Sequence, residues 1–253
     1  LFTKELEVAL LAGAADLAVH SLKDLPTELP AGLKLAATPV REDVRDVLIY
    51  REAGAAAATG GRRGLPANAT LRDFPQGATI ATSSTRRKAQ LQRVRPDLNI
   101  VEIRGNVATR MKKVAEQADL DATVLALAGI TRLQFKITAD GHIHGHEVPP
   151  GLLATVLDVE TMLPCVGQAA IGIEIRVNDE RIEKICARLN HPDTFQAVTA
   201  ERAFLAAMGG GCQSPVAAYA EISGPTISMR AISFRDGPPK SAAGRASLNE
   251  AAL

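Results

Sequence analysis

Short apolar runs alternate with amphipathic stretches along most of the chain, and this alternation predicts strands followed by helices. Residues 4–11 put Leu6, Ala9 and Leu10 on one helical face, and Gly13 stops that helix. Residues 16–20, 33–38 and 46–50 read as strands. Three strand–helix units follow: strand 79–82 with helix 85–94, strand 98–103 with helix 107–117, and strand 122–127 with a short helix reaching Leu133. Strand 170–176 leads into helix 179–189. Asp193 and Gln196 stand in capping-box spacing at the start of a helix that runs to about Met208 and ends at Gly209, Gly210 and Gly211. After Pro215 the pattern turns to strands, 216–222 and 226–234. The order predicts an α/β protein with a mainly parallel sheet covered on both faces, and a small α+β domain from about His191. Residues 51–68 and 136–153 read as irregular surface insertions, the first with no core role.

Composition narrows the class. A chain of 253 residues allows two or three domains, and 46% hydrophobic with 23% charged residues excludes a disordered chain. No apolar run approaches the roughly 18 residues of a membrane span. A net charge of +1, 3% aromatics and no Trp argue against a nucleic-acid partner. Residues 79–136, however, carry 11 Lys and Arg against 5 Asp and Glu, a local field suited to an anionic small molecule. Cys165, Cys186 and Cys212 are an odd number at unrelated spacings, which suits a reducing compartment better than a disulfide framework. Leu1 is not an initiator Met and the sequence opens inside a helical pattern, so further segments are expected at both ends.

Ligands of open α/β sheets bind beyond the carboxyl ends of the strands. Four predicted strand ends are each followed by a cation: Lys23 after the first, Arg86 and Arg87 after Thr82, Arg104 and Arg110 after Ile103, and Arg132 after Leu127. Three lead directly into helices, whose N-terminal N–H groups add to the field, and Ser83 or Ser84 can cap the helix or bind an anion. Arg suits carboxylates because its planar fork engages both oxygens. Lys88, Arg93, Arg95, Lys112 and Lys113 read as ordinary solvated helix charges. Asp24 is either a turn residue or a carboxylate that stabilises a cation or moves a proton. Cys212, in a Gly-rich loop, is either a small buried residue or a nucleophile or covalent anchor, while Cys165 and Cys186 read as buried. His142, His144 and His146 alternate, but no partner cluster accompanies them and no metal site is expected.

Taken together, seven segments resemble the porphobilinogen deaminase (hydroxymethylbilane synthase) family. They are residues 1–7, Val19-His-Ser-Leu-Lys-Asp-Leu-Pro26, Arg41-Glu-Asp43 with Arg45-Asp46, Ala81-Thr-Ser-Ser-Thr-Arg-Arg87, Ile103-Arg-Gly-Asn-Val-Ala-Thr-Arg110, Leu163-Pro-Cys-Val-Gly-Gln168 and Gly210-Gly-Cys-Gln213. The resemblance implies an enzyme that joins four porphobilinogen units on a dipyrromethane cofactor and releases hydroxymethylbilane. By motif position, it implies cofactor attachment at Cys212 and a catalytic role for Asp24. It further implies carboxylate binding by Lys23, Ser84, Arg86, Arg87, Arg104, Arg110 and Arg132, and a cleft-lining Gln168. The implied fold is two periplasmic-binding-protein-like α/β domains with a hinge (1–40 with 164–189, and 41–163) plus a small α+β domain at 191–253. A monomer is implied, and a cytoplasmic setting is expected, with a plastid not excluded. Three departures stand out: the family's N-terminal segment is not present before Leu1, Ala169 replaces the usual Gly, and the two insertions fall outside the matched motifs. The competing reading is a non-catalytic periplasmic-type binding protein for a polycarboxylate or oxyanion, which would need neither Asp24 nor Cys212.

Overall fold

A computed structural model of the protein describes residues 2–54, 64–211, 214–235 and 237–248. In chain order the elements are α1 (Phe2–Leu11), β1 (Leu17–Ser21), a 3-10 turn (Leu22–Asp24), β2 (Leu33–Ala37), β3 (Asp46–Arg51), β4 (Thr79–Ala81), α2 (Thr85–Val94), β5 (Asn99–Val101), α3 (Val107–Glu116) and β6 (Ala122–Ala126). They continue with α4 (Leu127–Arg132), β7 (Lys136–Ile137), β8 (Ile143–His144), β9 (Leu152–Leu157), β10 (Ile171–Arg176), α5 (Glu180–Ala187), α6 (Pro192–Ala207), β11 (Val216–Ser223), β12 (Thr226–Ser233) and β13 (Lys240–Ser247). Two compact units result: Leu1–Glu42 with Pro164–Leu253, and Asp43–Leu163.

In the second unit the sheet order is β5-β4-β6-β3-β9. β5, β4, β6 and β9 share one direction, and β3 alone runs against them, antiparallel to both of its neighbours. The sheet is mainly parallel in direction, as expected, with β3 the exception, whereas both sheets of the other unit are antiparallel throughout. β9 is a Leu-Leu-Ala-Thr-Val-Leu strand that the sequence pattern left inside and just after the irregular stretch 136–153. Every residue of β3 is buried, as a strand covered on both faces must be. Leu48 and Tyr50 pack with Ile80, Leu91 and Val124 on one face, and Val47 and Ile49 pack with Met111, Val114 and Ile130 on the other.

The first unit contains two antiparallel sheets, β1-β10-β2 and β11-β12-β13. β13 escaped prediction because Lys-Ser-Ala-Ala-Gly-Arg-Ala-Ser is polar and almost wholly exposed, as an edge strand can be. Helix α6 starts one residue earlier than the Asp193 spacing suggested. The His191 ring caps it, accepting from Thr194 N at 3.2 Å, and Pro192 occupies its first turn.

The segment 51–68 also departs from expectation. Arg51 is buried and donates to Val114 O and to Gln117 O, satisfying carbonyls at the end of α3, while Leu65 packs on the core. Residues 55–63 of that segment lie outside the described residues. Ala169 has φ +68° and is buried, a left-handed conformation that L-residues avoid. Ala169→Val should therefore lower stability by about 1–3 kcal/mol, because a β-branched residue tolerates this conformation worst. Ala169→Gly should stay within about 1 kcal/mol of the parent. Urea midpoints at unchanged slope would measure both.

Candidate active site

Strands β4, β5 and β6 all end at one edge of their sheet, and antiparallel β3 begins there, Asp46 pairing with Ala126. Helices α2 and α3 start from this rim. Ser84 caps α2 by accepting from Arg87 N, and Asn106 Oδ1 caps α3 by accepting from Thr109 N at 2.8 Å. Ser83 Oγ donates to Ile103 O at 2.7 Å and accepts from Ile103 N at 3.1 Å, so one hydroxyl joins the two loops. The two helix N-termini are thereby held beside one another, with their dipoles opening on the same rim.

Arg86 and Arg87 are both buried, and Asp46 joins them. Its Oδ2 accepts from Arg86 Nη2 at 2.8 Å and its Oδ1 from Arg87 Nη2 at 2.7 Å. Arg86 Nη1 also donates to Leu163 O at 2.7 Å, and Arg87 Nη1 to Val124 O at 3.0 Å. Burial alone would push the Asp46 carboxyl up, but the two guanidinium charges and their hydrogen bonds outweigh it and hold the pKa at about 2. Two cations share one anion, so the trio keeps a net positive charge.

Arg110 lies half-buried in the first turn of α3, its Nε donating to Gly105 O at 2.7 Å. Burial, and next the Arg87 charge, push its pKa below the usual arginine value. Like charges brought this close form a field that an anion would relieve. Arg104 is 88% exposed, with Glu102 3.9 Å away, a contact too solvated to hold it. Arg132 is exposed at the far end of α4, about 8 Å of helix from the strand end, and is the least centred of the predicted cations.

The first unit holds the predicted acid. Leu22 and Leu25 are buried with Ala170 and Val198, which turns the 3-10 segment so that Asp24 is exposed and Lys23 half-buried. Among the described residues no hydrogen bond or ion pair engages the Asp24 carboxylate, so it does not brace its own turn as an Asx-turn residue would. Gly167 passes directly beneath: a Cβ there would lie 3.2 Å from Lys23 N, and its φ is +69°. Gln168 is buried and accepts from Cys165 Sγ at 3.4 Å. Cys165 is only partly buried, against expectation, whereas Cys186 is buried.

Helix α6 carries two charged residues that sequence reasoning passed over. Glu201, fully buried, takes a bidentate pair from Arg41 at 2.7 and 3.0 Å and accepts from Gly167 N at 2.8 Å and Ala220 N at 2.9 Å. Arg41 Nε donates to Gln168 O at 2.9 Å. Arg202 donates to Leu25 O, Pro26 O and Thr27 O. The helix ends in the glycine loop, where Gly210 N donates to Leu205 O at 3.0 Å and Ser214 N to Gly211 O at 2.9 Å. The predicted anchor Cys212 and its neighbour Gln213 lie outside the described residues.

Family models match in two adjoining blocks: "porphobilinogen deaminase, dipyromethane cofactor binding domain" over residues 1–184, and "porphobilinogen deaminase, C-terminal domain" over residues 195–246. The chain belongs to the porphobilinogen deaminase family. Curated porphobilinogen deaminases agree with the assignment. That of Geobacter metallireducens is 46% identical over 90% of this chain and 62% of its own length. That of Syntrophomonas wolfei is 45% identical over 95% and 69%, and that of Moorella thermoacetica 46% over 92% and 64%. The chain thus spans a little under two thirds of the length of the Geobacter and Moorella porphobilinogen deaminases. Among solved structures, the periplasmic VFT2 domain of BvgS from Bordetella pertussis aligns over 81% of this chain and 72% of its own. The identity there is 20% and the TM-score 0.40.

No described helix is long and apolar enough to cross a membrane. Among the described residues no group of three or more His, Cys, Asp or Glu side chains is placed to hold a metal. His142 does have acidic neighbours, which the sequence did not reveal: Asp140 at 3.1 Å and Glu52 at 3.4 Å.

The Asp46 trio yields a test. Removing a buried anion from two buried cations costs about 3–5 kcal/mol, so Asp46→Ala should lower stability by that amount at pH 7. The sign with pH follows from a carboxyl depressed from 3.8 to about 2. Its stabilisation is complete above about pH 4 and is lost as pH falls towards about 2. Urea unfolding across that window should show a shallower acid slope in the variant than in the parent.

Proposed function

We propose that the protein is a hydroxymethylbilane synthase, a transferase that condenses four porphobilinogen units in succession. Each condensation forms one carbon–carbon bond and releases ammonia, and hydrolysis then frees the linear tetrapyrrole. The observation that carries this reading is the meeting, on one sheet rim, of two capped helix N-termini with Arg87 and Arg110, whose like charges lie close enough to act on each other. A pyrrole bearing two carboxylates per unit is the ligand class such a rim accepts.

The donor set also fits a dipyrromethane cofactor, whose several acid arms call for this many cations and N–H groups. Ser84, Arg104 and Arg110 would hold those arms, with Arg86 and Arg87 shared between them and Asp46, and Cys212 would form the covalent link. When bound, the cofactor supplies the pyrrole end on which the chain is built. Arg132 extends the cationic surface of the rim for substrate acids, and Lys23 offers a further cation beside Asp24 on its own unit. The Asp24 carboxylate, exposed and unspent on its own turn, stabilises the positive charge that develops on the substrate as ammonia leaves. The scattered cysteines, with Cys165 and Cys186 free, support a reducing, cytoplasmic setting, and we read the chain as a monomer that acts on a small molecule alone.

Intact-mass measurement of the full-length protein should show an adduct of two linked pyrrole units that disappears in Cys212→Ser. Asp24→Asn should keep the adduct and bind substrate, yet lose at least about 100-fold in kcat. Arg104→Leu and Arg110→Leu should slow chain elongation at nearly unchanged melting temperature. An unmodified protein that binds polycarboxylates without turnover would establish the binding-protein alternative instead.

A further inference from the structure

The turn that presents Asp24 is gripped on both sides by buried charge. Upstream, His20 on β1 donates from Nε2 to Glu174 Oε2 on β10 at 2.9 Å, and both side chains are buried. Downstream, the buried Arg202 guanidinium spans three successive carbonyls, Leu25 O at 3.2 Å, Pro26 O at 2.5 Å and Thr27 O at 3.2 Å. The two grips are linked, since the Arg202 charge acts on Glu174. Two backbone hydrogen bonds also tie this stretch, Leu22 N to Ala170 O and Leu25 N to Leu22 O.

We infer that Arg202 is a positioning residue: it fixes the Asp24 turn to helix α6, the helix that leads into the Cys212 loop. The physical case rests on geometry. Three carbonyls in consecutive residues converge on one guanidinium only when the backbone after Asp24 is curled around it, and a planar fork with five donors is the side chain that can satisfy all three. A lysine reaches one or two of them and leaves the rest without that donor in a part-buried place. The neighbouring Glu201 fastens the same turn of α6 to Arg41, Gly167 and Ala220, so the helix is a fixed platform from which Arg202 reaches out. The exposed acid is thereby set by a residue that does not touch substrate.

This inference rests on the deaminase reading for its effect on turnover, and on structure alone for its effect on the turn. The test compares full-length holoenzyme carrying Arg202→Met or Arg202→Lys with the parent and with Ile182→Ala, a core variant of α5 that loses stability elsewhere in the same unit. Amide exchange at Leu25 and steady-state kinetics with porphobilinogen are read together. Arg202→Met is expected to speed Leu25 exchange at least tenfold and lower kcat at least tenfold, with KM within threefold. Arg202→Lys should fall between it and the parent, and Ile182→Ala should keep both parental values. Should Arg202→Met not fold, Arg202→Lys decides by the same two readouts. Parental exchange and kcat within twofold in the folded Arg202 variants, or equal losses in Ile182→Ala, would overturn the inference. A parent that turns over no porphobilinogen would defeat the functional reading, while the exchange data would still decide the grip on the turn.

Discussion

Asp46 begins β3 at the edge of the sheet where β4, β5 and β6 end, and each of its carboxylate oxygens takes a guanidinium. Burying one acid with two arginines is costly unless every partner is well placed. Here the placement is enforced by the reversed direction of β3, which brings a strand's first residue to the rim where its neighbours finish. The pair of arginines can then sit in the first turn of α2 without unfolding it, and the excess positive charge is directed to the loops ahead of α2 and α3. Arg86 and Gln90 in turn both reach Leu163, the last residue of the unit, so the same helix also fixes where the chain leaves.

Much of this was legible in the chain. The strand-end cations, the serine cap and the exposed acid follow from strand–helix alternation and from the chemistry of helix starts, because those signals are local. What escaped was non-local. Nothing in the vicinity of Asp46 says that it will face Arg86 and Arg87, about forty residues on, and its place in the Arg-Glu-Asp-Val-Arg-Asp segment gives only charge density. The second partner of β3 was hidden because β9 lies beside a Pro-Pro-Gly turn and reads as the end of an insertion, although its run of β-forming residues was a usable signal. β13 carried no hydrophobic signal at all. Arg51 looked like a loop arginine, and only the fold shows it closing the end of α3.

Helix α6 of the first unit likewise depends on partners distant in sequence. Its face toward the core is not purely apolar: Glu201 and Arg202 stand side by side in its interior, and a periodicity argument treats such a pair as solvent-facing. Buried, each meets partners from other segments, Glu201 from 19 to 160 residues away and Arg202 from 175 to 177. The helix therefore serves as a polar hub from which the Asp24 turn, the Gly167 crossing and the glycine loop before Cys212 are all positioned.

In the proposed enzyme, guanidinium groups and helix N-termini on one rim hold the acid side chains of pyrrole substrates. Steady-state kinetics of the full-length enzyme with porphobilinogen whose two carboxylates are methyl esters tests it most directly. Loss of two charge-assisted contacts is worth about 3–6 kcal/mol, so kcat/KM should fall by roughly two to four orders of magnitude relative to the free acid. A diester that reacts within about threefold of the acid would contradict the account.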